Sequence, residues 1–131
     1  MIEKIDHIGI AVSNLEDAIK LYSEALGLKI KEIEIVEEQK ARVAIIPVGE
    51  STIELLESTA SDGPIAKHIE KRGEGIHHLA LRVNNVGDAL EILKEKGILL
   101  VDKEPRKGSR NTKMAFLHPK GPKALIELVE H

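Results

Sequence analysis

The chain carries the same segment twice, and this repeat constrains its fold more than any other feature. Asp6-His7-Ile8-Gly9-Ile10-Ala11-Val12 lies over His77-His78-Leu79-Ala80-Leu81-Arg82-Val83, with His7 and His78 71 positions apart. At the same offset Asn14 meets Asn85, Asp17 meets Asp88 and Ala18 meets Ala89. Gly27 meets Gly97 after the loss of one residue, and each half closes on Ile-Glu-Leu, at Ile53-Glu54-Leu55 and Ile126-Glu127-Leu128. Such self-similarity marks one supersecondary unit used twice.

The unit reads as βαβββ. Residues 4–12 alternate and are rich in branched side chains, which predicts a strand. Asn14 can cap a helix over 15–26, whose Leu15, Ala18, Ile19, Leu21, Tyr22 and Leu26 form one face and which stops at Gly27. Strands are predicted over 28–36, 41–48 and 51–57, then a linking helix over about 63–72 that ends at Gly73. The second half repeats the order: strand 76–83, helix 86–96, and strands near 98–102, 112–118 and 124–130. Segment 103–111, with Pro105, Gly108 and Ser109, reads as a loop. The expectation is an α+β fold of two tandem βαβββ modules forming one cupped, eight-stranded mixed sheet. It is a single domain over 1–131, with module 1 at about 1–58, a linker helix at about 62–73 and module 2 at about 75–131.

Composition narrows what such a domain can do. With 42% hydrophobic and 31% charged residues the chain reads as a soluble globular protein of the cytoplasm. Tyr22 and Phe116 are its only aromatics, so the core must be aliphatic and base stacking is not on offer. A net charge of −3 supplies no global field for polyanions, which further excludes nucleic acid. No apolar run reaches membrane-spanning length. There is no cysteine, so any metal must be held by His and carboxylate.

Strand phase decides which residues can meet, because side chains alternate between faces. Ile8, Ile10 and Val12 form the helix-facing side of the first strand, as Leu79, Leu81 and Val83 do in its counterpart. His7, Gly9 and Ala11 share the opposite face, as do His78, Ala80 and Arg82. Glu54 and Glu127 point away from their Ile and Leu neighbours toward that same face. A carboxylate so flanked is costly to bury without a partner. Two imidazoles and two carboxylates satisfy one another by sharing a divalent cation, and mixed N/O donors suit Co, Mn, Ni, Fe or Zn better than Ca. His68 reads as a surface residue, His77 has the wrong phase, His118 belongs to a turn before Pro119, and His131 reads as disordered.

A His opening and a Glu closing each of two βαβββ modules resembles the vicinal oxygen chelate superfamily. Within it the chain most resembles the methylmalonyl-CoA epimerases, through Ile5–Val12, through Asp62–Ala80 with its linker helix running into His77-His78, and through Phe116–Lys120 followed by Leu125–Leu128. The likeness covers essentially the whole chain. It implies His7, His78 and Glu127 as metal ligands, with Glu54 where the family places a Glu or Gln ligand, around one ion for which Co is the first choice. It further implies a homodimer that epimerises methylmalonyl-CoA at C2, a proton leaving one face and returning to the other while the cation stabilises the enolate. Glu127 is the first candidate for carrying that proton and Glu54 the second. Lys107, Arg110 and Lys120, with Lys103, Arg106 and Lys113 nearby, are candidates for the CoA phosphates. The chain departs from the family where a second Gly is usual and Asn111 stands, in a turn at Gly121-Pro122-Lys123 that is one residue short, and at Val43, where one member has a Glu. A glyoxalase I-like lyase is the nearest rival enzyme, and a non-catalytic module that sequesters a small ligand is the rival of another class.

Overall fold

The computed structural model describes Met1–His131. Its elements run β1 (Ile2–Ala11), α1 (Leu15–Lys20), β2 (Glu32–Val36), β3 (Ala41–Val48), β4 (Ser51–Ser58), α2 (Pro64–Arg72), β5 (Gly75–Val83), α3 (Val86–Glu95), β6 (Arg106–Lys107), β7 (Lys113–Leu117) and β8 (Ile126–Glu130). Hydrogen bonding orders the strands β2-β3-β4-β1-β5-β8-β7-β6 in one mixed, eight-stranded sheet, as the repeat predicts. The chain forms two compact units, His7–His77 and the combination of Met1–Asp6 with His78–His131.

In the first of these units β4 pairs in parallel with β1, setting Gly9 opposite Glu54, and antiparallel with β3. The Asn14 side chain accepts from the Asp17 N–H at 3.0 Å, while Glu57, three residues beyond Glu54, accepts from the Leu15 N–H at 2.8 Å. Two of the four orphan donors of α1 are thereby satisfied. Past Lys20 the helix widens by one residue, with Leu26 N–H reaching the Leu21 carbonyl at 3.2 Å, and it stops at Gly27 with φ +72°. One sheet face packs Val12, Ala44, Ile46 and Leu55 on Leu15, Ile19 and Tyr22. The other packs Ala11, Val43, Ile45 and Leu56 under Ile65 and Ile69 of α2. A Cβ on Gly63 would meet Ser58 Oγ at 2.6 Å, so any larger residue at this entry to α2 would have to displace the Ser58 side chain.

The second unit repeats the plan. β5 pairs in parallel with β8, setting Ala80 opposite Glu127, and β8 pairs antiparallel with β7. Asn85 caps α3 by accepting from Asp88 N–H at 2.9 Å, and Glu130, three residues beyond Glu127, accepts from Val86 N–H at 2.9 Å. Val83, Val86, Ala89, Leu90, Ala115 and Leu128 form the core beneath the helix. Ala80, Met114 and Val129 lie buried with Phe116 in a second cluster. Replacing Asn14 or Asn85 by Ala is expected to lower stability by about 1 kcal/mol each, measured by urea denaturation, since each removes one helix cap.

The strand expected near 98–102 does not form. Leu100 makes a single bridge to Leu117, and the N–H groups of Val101 and Asp102 both bond to the Phe116 carbonyl, at 3.0 and 3.2 Å. Two donors on one acceptor stop the ladder from advancing. The edge strand is instead β6, two residues inside the segment that reads as a loop. Arg110 and Asn111 both adopt left-handed backbone, with φ 54° and 55°. Asn tolerates that conformation better than most residues, which accounts for Asn111 where a glycine is usual in the family.

Candidate metal centre

Each unit builds one His–Glu pair in the same way. A strand carries the His, and two residues later a small residue, Gly9 or Ala80, stands opposite the Glu of a parallel neighbour. The small residue leaves room for the carboxylate to lean toward the imidazole. His7 Nδ1 lies 3.5 Å from Glu54 Oε2, both side chains almost fully buried. His78 Nε2 lies 3.3 Å from Glu127 Oε1, again buried. The Phe116 ring meets His78 edge-on, its centroid 5.5 Å away, and holds that imidazole in place.

The ligand atoms of His7, His78 and Glu127 all lie within 4.8 Å of one another. Glu54 stands outside that group of three and pairs with His7. Two imidazole nitrogens and one carboxylate oxygen, all buried, fit a first-row divalent ion. Donors on one such ion, each about 2.1 Å from it, are roughly 3–3.5 Å apart, close to the His78–Glu127 spacing.

The other histidines are placed elsewhere. His77 packs edge-on against His68, ring centroids 4.9 Å apart, and burial pushes its pKa down to about 4, so it is neutral at neutral pH. His118 accepts from Lys120 N–H at 3.1 Å within its turn. His131, expected to be disordered, is ordered, with Nε2 2.8 Å from Asp6 Oδ1. The reason is a buried carboxylate next to His7 that composition alone did not reveal.

Asp6 is the centre of a cluster in its own unit. Arg82 Nε and Nη2 lie 2.9 and 2.8 Å from its Oδ1, and Arg110 Nη2 lies 3.0 Å from its Oδ2. Burial holds the His131 imidazole below its ordinary pKa despite the carboxylate. Of the residues proposed for CoA phosphates, Arg110 is therefore committed to Asp6, whereas Lys107 and Lys120 are exposed. Two signals pointed to the cluster in the sequence: an acid directly before His7, and an arginine on a strand face otherwise lined by small residues.

Among the elements no helix is long and apolar enough to cross a membrane. Residues 6–116 match the model of the glyoxalase/bleomycin resistance protein/dioxygenase superfamily. The uncharacterised protein YqjC of Bacillus subtilis is 39% identical over 97% of this chain and 91% of its own length. An ethylmalonyl-CoA/methylmalonyl-CoA epimerase of Cereibacter sphaeroides is 34% identical over 92% of this chain and 91% of its own. The structure of Streptomyces coelicolor methylmalonyl-CoA epimerase in complex with 2-nitronate-propionyl-CoA superposes with a TM-score of 0.95 at 35% identity, covering 99% of this chain and 95% of that one. The doubled His–Glu plan and these likenesses agree: the chain belongs to the glyoxalase/bleomycin resistance protein/dioxygenase superfamily, on its methylmalonyl-CoA epimerase branch.

Proposed function

We propose that this chain is a metal-dependent isomerase that interconverts (2R)- and (2S)-methylmalonyl-CoA by moving the proton at C2. The observation that carries the reading is the buried group His7, His78 and Glu127 in a chain so similar to epimerases of malonyl thioesters. His7, His78 and Glu127 would hold the ion. When bound, a divalent cation supplies positive charge that stabilises the enolate oxygens as C2 loses its proton.

The protein's own part is to carry the proton and exclude water. In one direction the C2–H bond breaks, its electron pair enters the enolate, and a carboxylate oxygen takes the proton. A second carboxylate on the other side returns a proton to C2. Glu54, outside the group of three donors and 3.5 Å from His7, is the second carboxylate of this mechanism. Glu127 comes from the equivalent position of the other module, so the two carboxylates suit opposite faces of one carbon. The aliphatic burial around both keeps bulk water from quenching the enolate. Co is the preferred ion of this reading, and a homodimer its working form.

Either epimer supplied in D2O, before and after EDTA treatment and Co²⁺ addition, tests the reading. Metal-dependent entry of deuterium at C2 with scrambled stereochemistry is the expected result. Absence of exchange, with turnover of a hemithioacetal instead, would move the activity to a glyoxalase I-like lyase.

A further inference from the structure

The two units cover the strand residue beside each glutamate differently. In the first, Ile45 stands opposite Glu54 and clusters with Ile65 of α2. In the second, Phe116 stands opposite Glu127, and the cluster it packs against consists of strand residues, Ala80, Met114 and Val129. The ring takes its cover from β6. Arg106 pairs with Met114, two residues from Phe116 and therefore on the same face. Its guanidinium lies over the Phe116 ring, 5.4 Å from the centroid.

Asp102 holds both the backbone and the ring of this phenylalanine. Its N–H donates to the Phe116 carbonyl at 3.2 Å, and its Oδ2 accepts from the Phe116 N–H at 2.9 Å. The side chain thus supplies the acceptor that the backbone of a neighbouring strand would otherwise offer. Its other oxygen, Oδ1, lies 3.2 Å from Arg106 Nε. That Nε is buried yet makes no hydrogen bond. A buried N–H left unsatisfied is costly, and an arginine on a two-residue edge strand has solvent within reach. The ion pair and the ring hold it over Phe116 against that cost.

The ring so fixed meets His78 edge-on, with centroids 5.5 Å apart and planes at 81°. We propose that Asp102 and Arg106 are positioning residues for His78. Acting through Phe116, they keep its imidazole in the one orientation that sets Nε2 3.3 Å from Glu127. All five residues belong to one compact unit. The inference rests on the metal-centre reading of His7, His78 and Glu127, and adds to it the groups that orient one of the ligands. Outer groups that orient a metal ligand are commonly worth about ten- to a hundredfold in metal affinity.

The test titrates the metal-free protein with Co²⁺ and follows the His78 ring by NMR. D102A removes both the acceptor for Phe116 N–H and the anchor of Arg106, and is expected to weaken Co²⁺ binding about tenfold. D102N keeps an acceptor but loses the charge facing Arg106, and R106Q loses the guanidinium. Each should weaken binding by about threefold, and the double variant no further, because both break the same link. R106K should restore part of the affinity. In the metal-free protein the His78 ring resonances are expected to be single and sharp in wild type, and shifted or broadened in D102A and R106Q. Unchanged Co²⁺ affinity in D102A and R106Q overturns the proposal. So does a lower melting temperature with the His78 resonances unmoved, the mark of a merely structural contact. A wild type that binds no Co²⁺, but whose His78 resonances move in R106Q, would refute the metal reading and leave the positioning role standing. Should D102A fail to fold, R106Q decides alone, at a side chain 37% exposed.

Discussion

E127Q is expected to lower metal-dependent proton exchange at C2 by at least about a hundredfold. Glu127 is the one anionic donor in the group His7, His78 and Glu127, and it is buried beside His78 at 3.3 Å. Glutamine keeps the shape and removes the charge. The site then loses both the donor that best balances a divalent cation and a carboxylate able to move a proton, each worth two or more orders of magnitude in rate. Affinity for the metal, followed by titration of the metal-free protein, should fall with the rate. E54Q is the informative contrast, because Glu54 stands outside the group of three. It should bind metal nearly as well and lose exchange chiefly from one epimer. The metal-free melting temperature of E127Q should be no lower than wild type, since a buried carboxylate without its ion is a cost. Full exchange in both E54Q and E127Q would refute the two-carboxylate mechanism.

The second large effect concerns stability. D6A should destabilise the protein by about 3 kcal/mol, a fall in melting temperature of roughly 10 °C. The Asp6 side chain is fully buried and both its oxygens are engaged, by Arg82, Arg110 and His131. Alanine leaves two neighbouring guanidiniums without their counter-charge and leaves a void. The lower end of the range for broken buried pairs applies because Arg82 and Arg110 retain 30% and 16% exposure and can partly resolvate. D6N should fall between, keeping volume and half the hydrogen bonding. Urea denaturation at low and high salt checks this, and a D6A loss below about 1 kcal/mol would show that the cluster is held up by packing alone.

The regular parts of the fold were legible because they depend on local pattern. The Asn14 cap, the Gly27 stop and the alternating strands answer to neighbours a few residues away, and Asn85 and Gly97 hold the equivalent positions of the repeat. The repeat then carried the reading further, since equivalent positions in two modules must have equivalent environments. The segment near 98–102 was misread for the complementary reason. Its apolar Ile98-Leu99-Leu100-Val101 run has strand composition, but a strand exists only if a partner offers acceptors in register, and Phe116 offers one carbonyl to two donors. Gly108 and Pro105 suggested a loop where a two-residue edge strand forms, because its partner β7 extends past that point.

The sequence by itself determined the two modules, the strand phases, and the common face of His7, His78, Glu54 and Glu127, since these follow from periodicities of two and 3.6 and from a repeated motif. Only the tertiary structure brought the ligand atoms of His7, His78 and Glu127 within 4.8 Å of one another, because angstrom-scale separations depend on strand twist and register rather than on phase. It likewise decided the fate of Asp6, which joins Arg82, Arg110 and His131 from positions up to 125 residues away. No local pattern encodes such a meeting; it arises because a carboxylate buried by the fold must find its positive charge wherever the chain returns.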